Sequence, residues 1–568
     1  MGARDLVLAG WWSVLPSCDI VQTMLGHRQC WFSHAAAAAI VACFSFASGR
    51  AQTAPAPGQH ADHGTPPAAF SGRIGLYTSA LGPFTRPISS QNREAQAFFN
   101  QGFQLTYAFA KPEAVRSFRE AEMRDPMCAI CYWGEAWAWG SDLNWVMGPD
   151  EAPFAYAAIQ KAVALAPEHA TSTERAFIQA LSARYVERFD PAKRVEQDRA
   201  YADAMKKVVD AHPEDLDAAV LYAEALFLLE PRAGARDIAN PNVQRIAGVL
   251  ERALTKDIRH PGACHLYIHL TEATSEPGRA AACAEFIGKS IPGASHINHM
   301  PTHTWTQIGR WGDAVRASLD AWHSDLKSLV GEAVAIYPWH DLHMLVFAAS
   351  MDGQGAIAVQ AGRDYSRIAK NPIYILLAQI RFGRFEDILE DMKTKTPGAL
   401  SGPVWEFAQG YATLRAGNRE AAKTHLAPVL EAANTSTALF GANPAKKLFG
   451  VLGGILEGEI ALSNKSQAAA LAAFQRAVSV EDSLVWDEPE PLPFSARHWL
   501  GAALLEMGRP AEAEPVYRAD LKKHPHNGWS LLGLSQALAA QKKPAREVAE
   551  EFERSWVRSD TWIRASRF

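Results

Sequence analysis

From Asn92 onward apolar residues recur at steps of three and four, and the alternation that marks a half-buried strand is hard to find. That pattern predicts helices of about 12 to 18 residues, arranged in pairs and punctuated by Gly, Pro, Asn or Asp. Several pairs carry small and large residues at matching places. The first has Gly102, Tyr107, Ala114, Phe118, Ala121 and Pro126, and one near the end has Gly508, Ala513, Tyr517 and Pro525. The step from Gly508 to Ala513 returns as Gly309 to Ala314 and as Gly417 to Ala422.

These residues resemble the tetratricopeptide repeat, whose units of about 34 residues put small side chains where two helices cross and large ones where units stack. The resemblance extends over most of residues 92 to 560. It implies an all-α solenoid, a right-handed superhelix of antiparallel helix pairs in which the first helix of each pair lines a concave face. Three blocks are expected: N-terminal repeats over 91–250, a histidine-rich centre over 251–355 and C-terminal repeats over 356–568. Repeat arrays of this kind serve most often as scaffolds that hold a peptide or partner protein in the groove. That expectation rests on fold alone.

The centre departs from a plain scaffold. Nine of the 19 histidines fall between His260 and His343. Pro292, Ala280 and Ala314 set a register of two units, 261–294 and 295–328. In it His265 and His299 are 34 residues apart, and so are His269 and His303. The family resemblance implies that these slots face the groove, together with Glu272, His296 and, from a third unit phased by Gly353 and Ala358, His340 and His343. Spacing alone leads to the same place. His265, His269 and Glu272 step i, i+4, i+7, and His296, His299 and His303 step i, i+3, i+7, each a single stripe on a helix. Neutral imidazoles buried in this number would need many acceptors, and charged ones would repel. Metal ligation satisfies both conditions. Pro301 complicates the second stripe: a helix starting at Pro301 would leave His296 and His299 on the preceding loop. His260 and His323 fall outside the groove slots. Trp305, Trp311, Trp322, Trp339, Tyr267 and Tyr337 flank the histidines. Glu224, one unit earlier, is an acid–base or ligand candidate, and the acidic run Asp487–Glu490 reads as a solvated loop, with folding back over the groove as the alternative.

An imidazole-rich set with one carboxylate suits copper or zinc, with iron as a further candidate, and suits neither calcium nor magnesium. Six or more histidines exceed one tetrahedral ion, so two ions with about three histidines each is the simplest arithmetic. A metal-dependent oxidoreductase is the enzymatic reading; a scaffold without catalysis is the other.

Length and charge narrow the field. A chain of 568 residues with 48% apolar content exceeds one compact globular domain. Its formal charge of −5, with cations scattered, gives no footprint for nucleic acid. No nucleophile elbow, phosphate loop or dinucleotide fingerprint is present. Residues 1–51 read as an export signal with its start at Met24 and cleavage after Ala51, too short for a transmembrane anchor. Ile40-Val41-Ala42-Cys43 has the form of a lipoprotein box, but Phe44 and Phe46 suit it poorly. A periplasmic or secreted protein is therefore expected. Residues 52–90, rich in Pro, Ala, Gly and Ser, read as a disordered tether that includes His60 and His63. Past the signal four cysteines remain: Cys128 and Cys131, open to a redox or a structural role, and Cys264 and Cys283, placed on successive helices where a disulfide could join them.

Overall fold

A computed structural model describes residues 67–231, 234–391, 393–396 and 398–568. The expected export signal, and His60 and His63, lie outside the described residues. The described chain belongs to one compact unit, Pro55–Phe568, and its described residues form 24 α-helices.

In chain order these are α1 Arg93–Tyr107, α2 Lys111–Arg124, α3 Ala129–Trp139, α4 Ala152–His169, α5 Ser172–Ser182, α6 Arg194–Ala211, α7 Leu216–Phe227 and α8 Pro241–Lys256. The centre follows with α9 Pro261–Thr271, α10 Ala281–Ile287, α11 Ser295–Gln307, α12 Trp311–Ser328, α13 Pro338–Asp352 and α14 Gly355–Ala369. The last ten are α15 Ile373–Arg381, α16 Phe385–Asp391, α17 Ser401–Arg415, α18 Arg419–Thr435, α19 Ala445–Ser463, α20 Gln467–Asp482, α21 Ala496–Glu506, α22 Pro510–Lys523, α23 Gly528–Ala540 and α24 Arg546–Trp556. A two-residue hairpin, Leu439–Phe440 with Asn443–Pro444, is the β structure among them. No helix among the described residues is long and apolar enough to cross a membrane.

Each helix packs on its neighbour in sequence, and from α7 to α23 each odd-numbered helix also touches the next odd one. Odd helices thus form one continuous layer while even helices lie outside it. This is the tetratricopeptide-like α-solenoid expected from the repeat pattern. The crossings explain the small residues. A Cβ at Gly102 of α1 or Gly134 of α3 would come within 2.9 Å and 2.3 Å of the Phe118 ring, which α2 inserts between them. Tyr517 of α22 fills the same slot between Gly501 and Gly533, where a Cβ would approach to 2.4 Å and 2.1 Å. Both rings are fully buried.

The inner layer also meets itself: α1 touches α9, and α13 touches α23. Trp529 Nε1 donates to the carbonyl of Ser350 at 2.9 Å, Trp311 Nε1 donates to that of Pro525 at 2.8 Å, and Arg558 pairs with Asp352 at 2.6 Å. Central and C-terminal repeats therefore share one interior.

The described part of the expected tether is held in place. Gln101 Nε2 donates to the carbonyl of Gly75 at 3.0 Å and Gln104 Nε2 to that of Phe84 at 2.7 Å, while the Tyr77 and Gly82 amides donate back to the same two side chains. Arg86 pairs with Asp215 and Asp217. Composition pointed to disorder because the segment has few apolar residues; glutamines of α1 supply backbone partners in their place.

Candidate metal centre

Three consecutive inner helices supply the histidines. His265 and His269 come from α9, His296, His299 and His303 from α11, and His340 from α13, all buried. α11 runs unbroken through Pro301, so the stripe survives. The proline forgoes one helical hydrogen bond, the one to the carbonyl of Ile297.

The six imidazoles fall into two triads, His265, His269 and His296, and His299, His303 and His340, with the ligating atoms of each within 4.8 Å of one another. The triads adjoin: the rings of His296 and His299 are 4.6 Å apart. Nitrogens inside each triad face each other. His265 Nε2 lies 3.0 Å from His296 Nε2, and His303 Nε2 lies 3.1 Å from His299 Nε2.

The outward nitrogens decide what the inward ones can do. His265 Nδ1 is 2.6 Å from the carbonyl of Tyr107, an oxygen that only accepts, so Nδ1 holds the proton and Nε2 a lone pair. His269 Nδ1 faces Glu272 Oε1 at 2.9 Å, His303 Nδ1 faces Glu272 Oε2 at 2.5 Å, and His299 Nδ1 donates to Asp341. At about 3 Å two facing Nε2 atoms need either a proton on one ring, as in a neutral N–H···N hydrogen bond, or a metal ion between them. Two nitrogens bound to one ion at 2.0–2.1 Å are separated by about 3.0–3.4 Å. The spacing in the site fits that ion.

Electrostatics follow the same division. His265 and His296 are pushed well below the ordinary imidazole value, first by burial and then by neighbouring rings, so they stand neutral. Burial also pulls His303 down, but Glu272 and then Glu488 outweigh it, and His303 is raised. A proton between His303 and His299 would stand in the place a metal would take. Burial and the adjacent Asp325 raise the Asp341 carboxyl. A proton held between the two acids leaves Asp341 Oδ1 to accept from His299.

Two of the expected ligands lie outside the two imidazole triads. His343 is turned away from the triads and stacks on Tyr374 of α15 at 4.1 Å. Glu272 sits behind the rings, bridging the Nδ1 atoms of one histidine from each triad, where it orients both. Other residues were not anticipated. Phe109 covers the first triad, with its ring 4.3 Å from His265, 5.4 Å from His296 and 6.0 Å from His269. Its backbone is left-handed, φ 61°, an uncommon state for a bulky residue that nothing in the local sequence announces. Asp341 lies between two histidines in sequence, and only its burial marks it. Glu488, from the run read as a solvated loop, comes within 3.4 Å of His303 Nδ1.

Among the flanking aromatics, Tyr337 and Trp339 lie beside His296 and His340 at 5.5 Å and 5.9 Å. The Tyr267 hydroxyl donates to Glu251 and Trp305 packs under Arg310. Glu224 accepts from Trp137 Nε1 at 3.2 Å in a separate buried nest, where burial raises it to about 7. His260 caps α9 and meets Asp217 at 3.1 Å, and His323 is exposed. Both remain outside the site. The four described cysteines are paired, Cys128 with Cys131 and Cys264 with Cys283.

No known protein family and no curated protein matches this chain. Among solved structures, the human IFIT1 dimer with m7Gppp-AAAA is similar at 11% identity, over 75% of this chain and 89% of that one, with a TM-score of 0.30. The Cut9–Hcn1 hetero-tetramer of the APC/C is similar at 12% identity, over 84% and 79%, with a TM-score of 0.29. The P58(IPK) TPR domain is similar at 12% identity, over 79% and 98%, with a TM-score of 0.21. Scores this low mark no shared superposition of the whole chains. The solenoid fold stands on helix order and packing.

Proposed function

We propose that this protein holds two transition-metal ions on the inner face of its helical repeats, one in each imidazole triad, and that it is an exported oxidoreductase. The observation that carries the reading is the gathering of six buried imidazoles into two triads, with inward nitrogens at 3.0 and 3.1 Å and the Nδ1 atoms of His265, His269, His299 and His303 committed to a carbonyl and carboxylates. Six nitrogen donors without a carboxylate between the triads favour copper; zinc takes the same donors, and iron less readily. His265, His269 and His296 would hold one ion, His299, His303 and His340 the other. Glu272 and Asp341 keep the ring tautomers that point lone pairs inward. The bound ions would supply electron transfer and Lewis acidity. Two disulfides and the N-terminal signal pattern support an oxidising compartment outside the cytoplasm.

A partner-binding groove is the weaker reading. Imidazoles occupy the inner face in the centre, and the chain's own last residues lie along the C-terminal repeats. There Arg381 donates to the carbonyl of Ser566 at 3.2 Å, and the Tyr411 hydroxyl and Arg415 donate to that of Phe568 at 2.7 Å and 2.6 Å.

Elemental analysis of untagged protein, supplied in turn with copper, zinc and iron, tests the proposal. About two ions per chain are expected, with a visible absorption change when the copper form meets dioxygen. Absence of any tightly held transition metal would overturn it.

A further inference from the structure

Between α20 and α21 the chain crosses residues 483–495 without helix or strand. Connections of that length are uncommon inside packed repeats unless they have a task. This one is a strap tied at both ends of its acidic run. The Ala442 amide donates to Asp487 at 3.0 Å, and Glu490 meets Lys523 at 3.0 Å and His524 at 3.2 Å. The ties carry Glu488 inward to His303. Strap and repeats enclose a narrow cleft of about 20 Å³, room for about one water molecule, lined by Trp311, Met344, Phe347 and Trp486 to Glu490 and ending at Glu272 and His303.

At that inner end the ligating atoms of His269, Glu272 and Glu488 lie within 4.8 Å of one another, a separation one ion can span. His269 belongs both to this group and to the first triad, and His303 touches both carboxylates while belonging to the second. We propose that Glu272, Glu488 and His269 form a third cation site, a loading site that takes a divalent transition-metal ion from the cleft and passes it to the buried triads. The inference rests on the two-ion reading.

The chemistry favours transit over storage. The triads are buried, so an incoming hydrated ion must lose its water before it reaches them. Carboxylates replace water stepwise and exchange quickly, and their charge draws cations into a narrow cleft. Lys523 and His524 offset Glu490, and Arg236 faces Glu272 and Glu488, so the inner end pairs two carboxylates with one guanidinium. Imidazoles then hold transition metals more firmly than the mixed site does. Phe109 covers the first triad, so the cleft on the carboxylate side is the route in.

Protein stripped with a chelator and mixed with Co²⁺ in a stopped-flow instrument reads loading through the visible absorption of the imidazole-bound ion. Glu488→Gln is expected to reach the same final two ions per chain at least tenfold more slowly, and Glu488→Asp, which keeps the carboxylate, to recover most of the rate. In protein whose triads are filled with zinc, His269 is spent on the first ion and Glu272 and Glu488 remain as donors; spin resonance should then detect one further weakly bound Mn²⁺ in the wild type and none in Glu488→Gln. Equal loading rates, or Mn²⁺ held equally by both proteins, would overturn the loading site. A wild type that takes up no cobalt would instead overturn the two-ion reading beneath it.

Discussion

Buried histidines occur in two nests that solve the same problem differently. In the C-terminal nest His498 Nε2 meets Asp520 Oδ2 at 3.0 Å, His524 Nδ1 meets Asp520 Oδ1 at 3.0 Å, and His524 Nε2 meets Glu490 at 3.2 Å. Ser530 and Asn527 donate to the same Asp520 oxygen at 2.6 Å and 3.0 Å. Burial works against charge there, yet Glu490 and Asp520 overcome it and raise His524 to about 10, while His498, lowered to about 4 chiefly by burial, stays neutral. That nest is electrically complete as protein. In the central nest imidazole nitrogens face one another, and the carboxylates stand behind the rings. Such an arrangement turns several ring nitrogens toward one point, where a proton or a metal ion can sit. What separates a structural histidine cluster from a metal site is therefore the direction in which the carboxylates face, a property that histidine density does not report.

The largest break in this comparison comes from the central nest. Replacing His265 and His269 together with alanine should remove the first ion outright, lowering metal content from two per chain to one, and should remove that ion's share of the stabilisation that metal confers on thermal unfolding. His323→Ala, on the exposed face, should leave both readings unchanged. Retention of two ions in the double variant would mean that the first triad is packing.

The C-terminal nest should respond in stability and pH dependence, with metal content constant. His524 sits near 10 in the folded chain against 6.5 unfolded. A raised folded value stabilises fully below the unfolded one and ceases to do so as pH rises through the folded one. His524→Gln leaves Asp520 and Glu490 buried without their cation, and should cost about 3–5 kcal/mol at pH 6. The gap between wild type and variant in urea unfolding should narrow from pH 8 to pH 10. A gap that stays constant across that range would show that His524 is not the charged partner.

The sequence carried the fold further than the site. A 34-residue phase placed His265 with His299 and His269 with His303 because equivalent slots on successive inner helices do face one way. Contacts that depend on chain returning from a distance were hidden. Glu488 reaches His303 from a distant loop; folding of its acidic run over the groove is one reading of the sequence, but composition argues for solvent and nothing singles out His303 as the contact. Nothing at Phe109, neither glycine nor asparagine, signals a left-handed residue. Glu272 was legible as a partner of the histidines but not as one behind them, since an i+3 carboxylate can reach either nitrogen of a ring.

The smallest expected effect sharpens the border of the second triad. His340 and His343 lie three residues apart on α13, about 60° around its axis, and α13 packs between α11 and α15. That rotation is enough to send His340 toward α11, its ring 4.9 Å from His299, and His343 toward α15, where it stacks on Tyr374. His343→Phe keeps a flat ring of similar size on Tyr374 and should change stability by less than about 1.5 kcal/mol, with two ions still bound. His340→Phe removes a nitrogen from the second triad and should release its ion. If His343→Phe also released an ion, His343 would have to swing back toward α11 when metal binds, and the second triad would have four histidines to choose from.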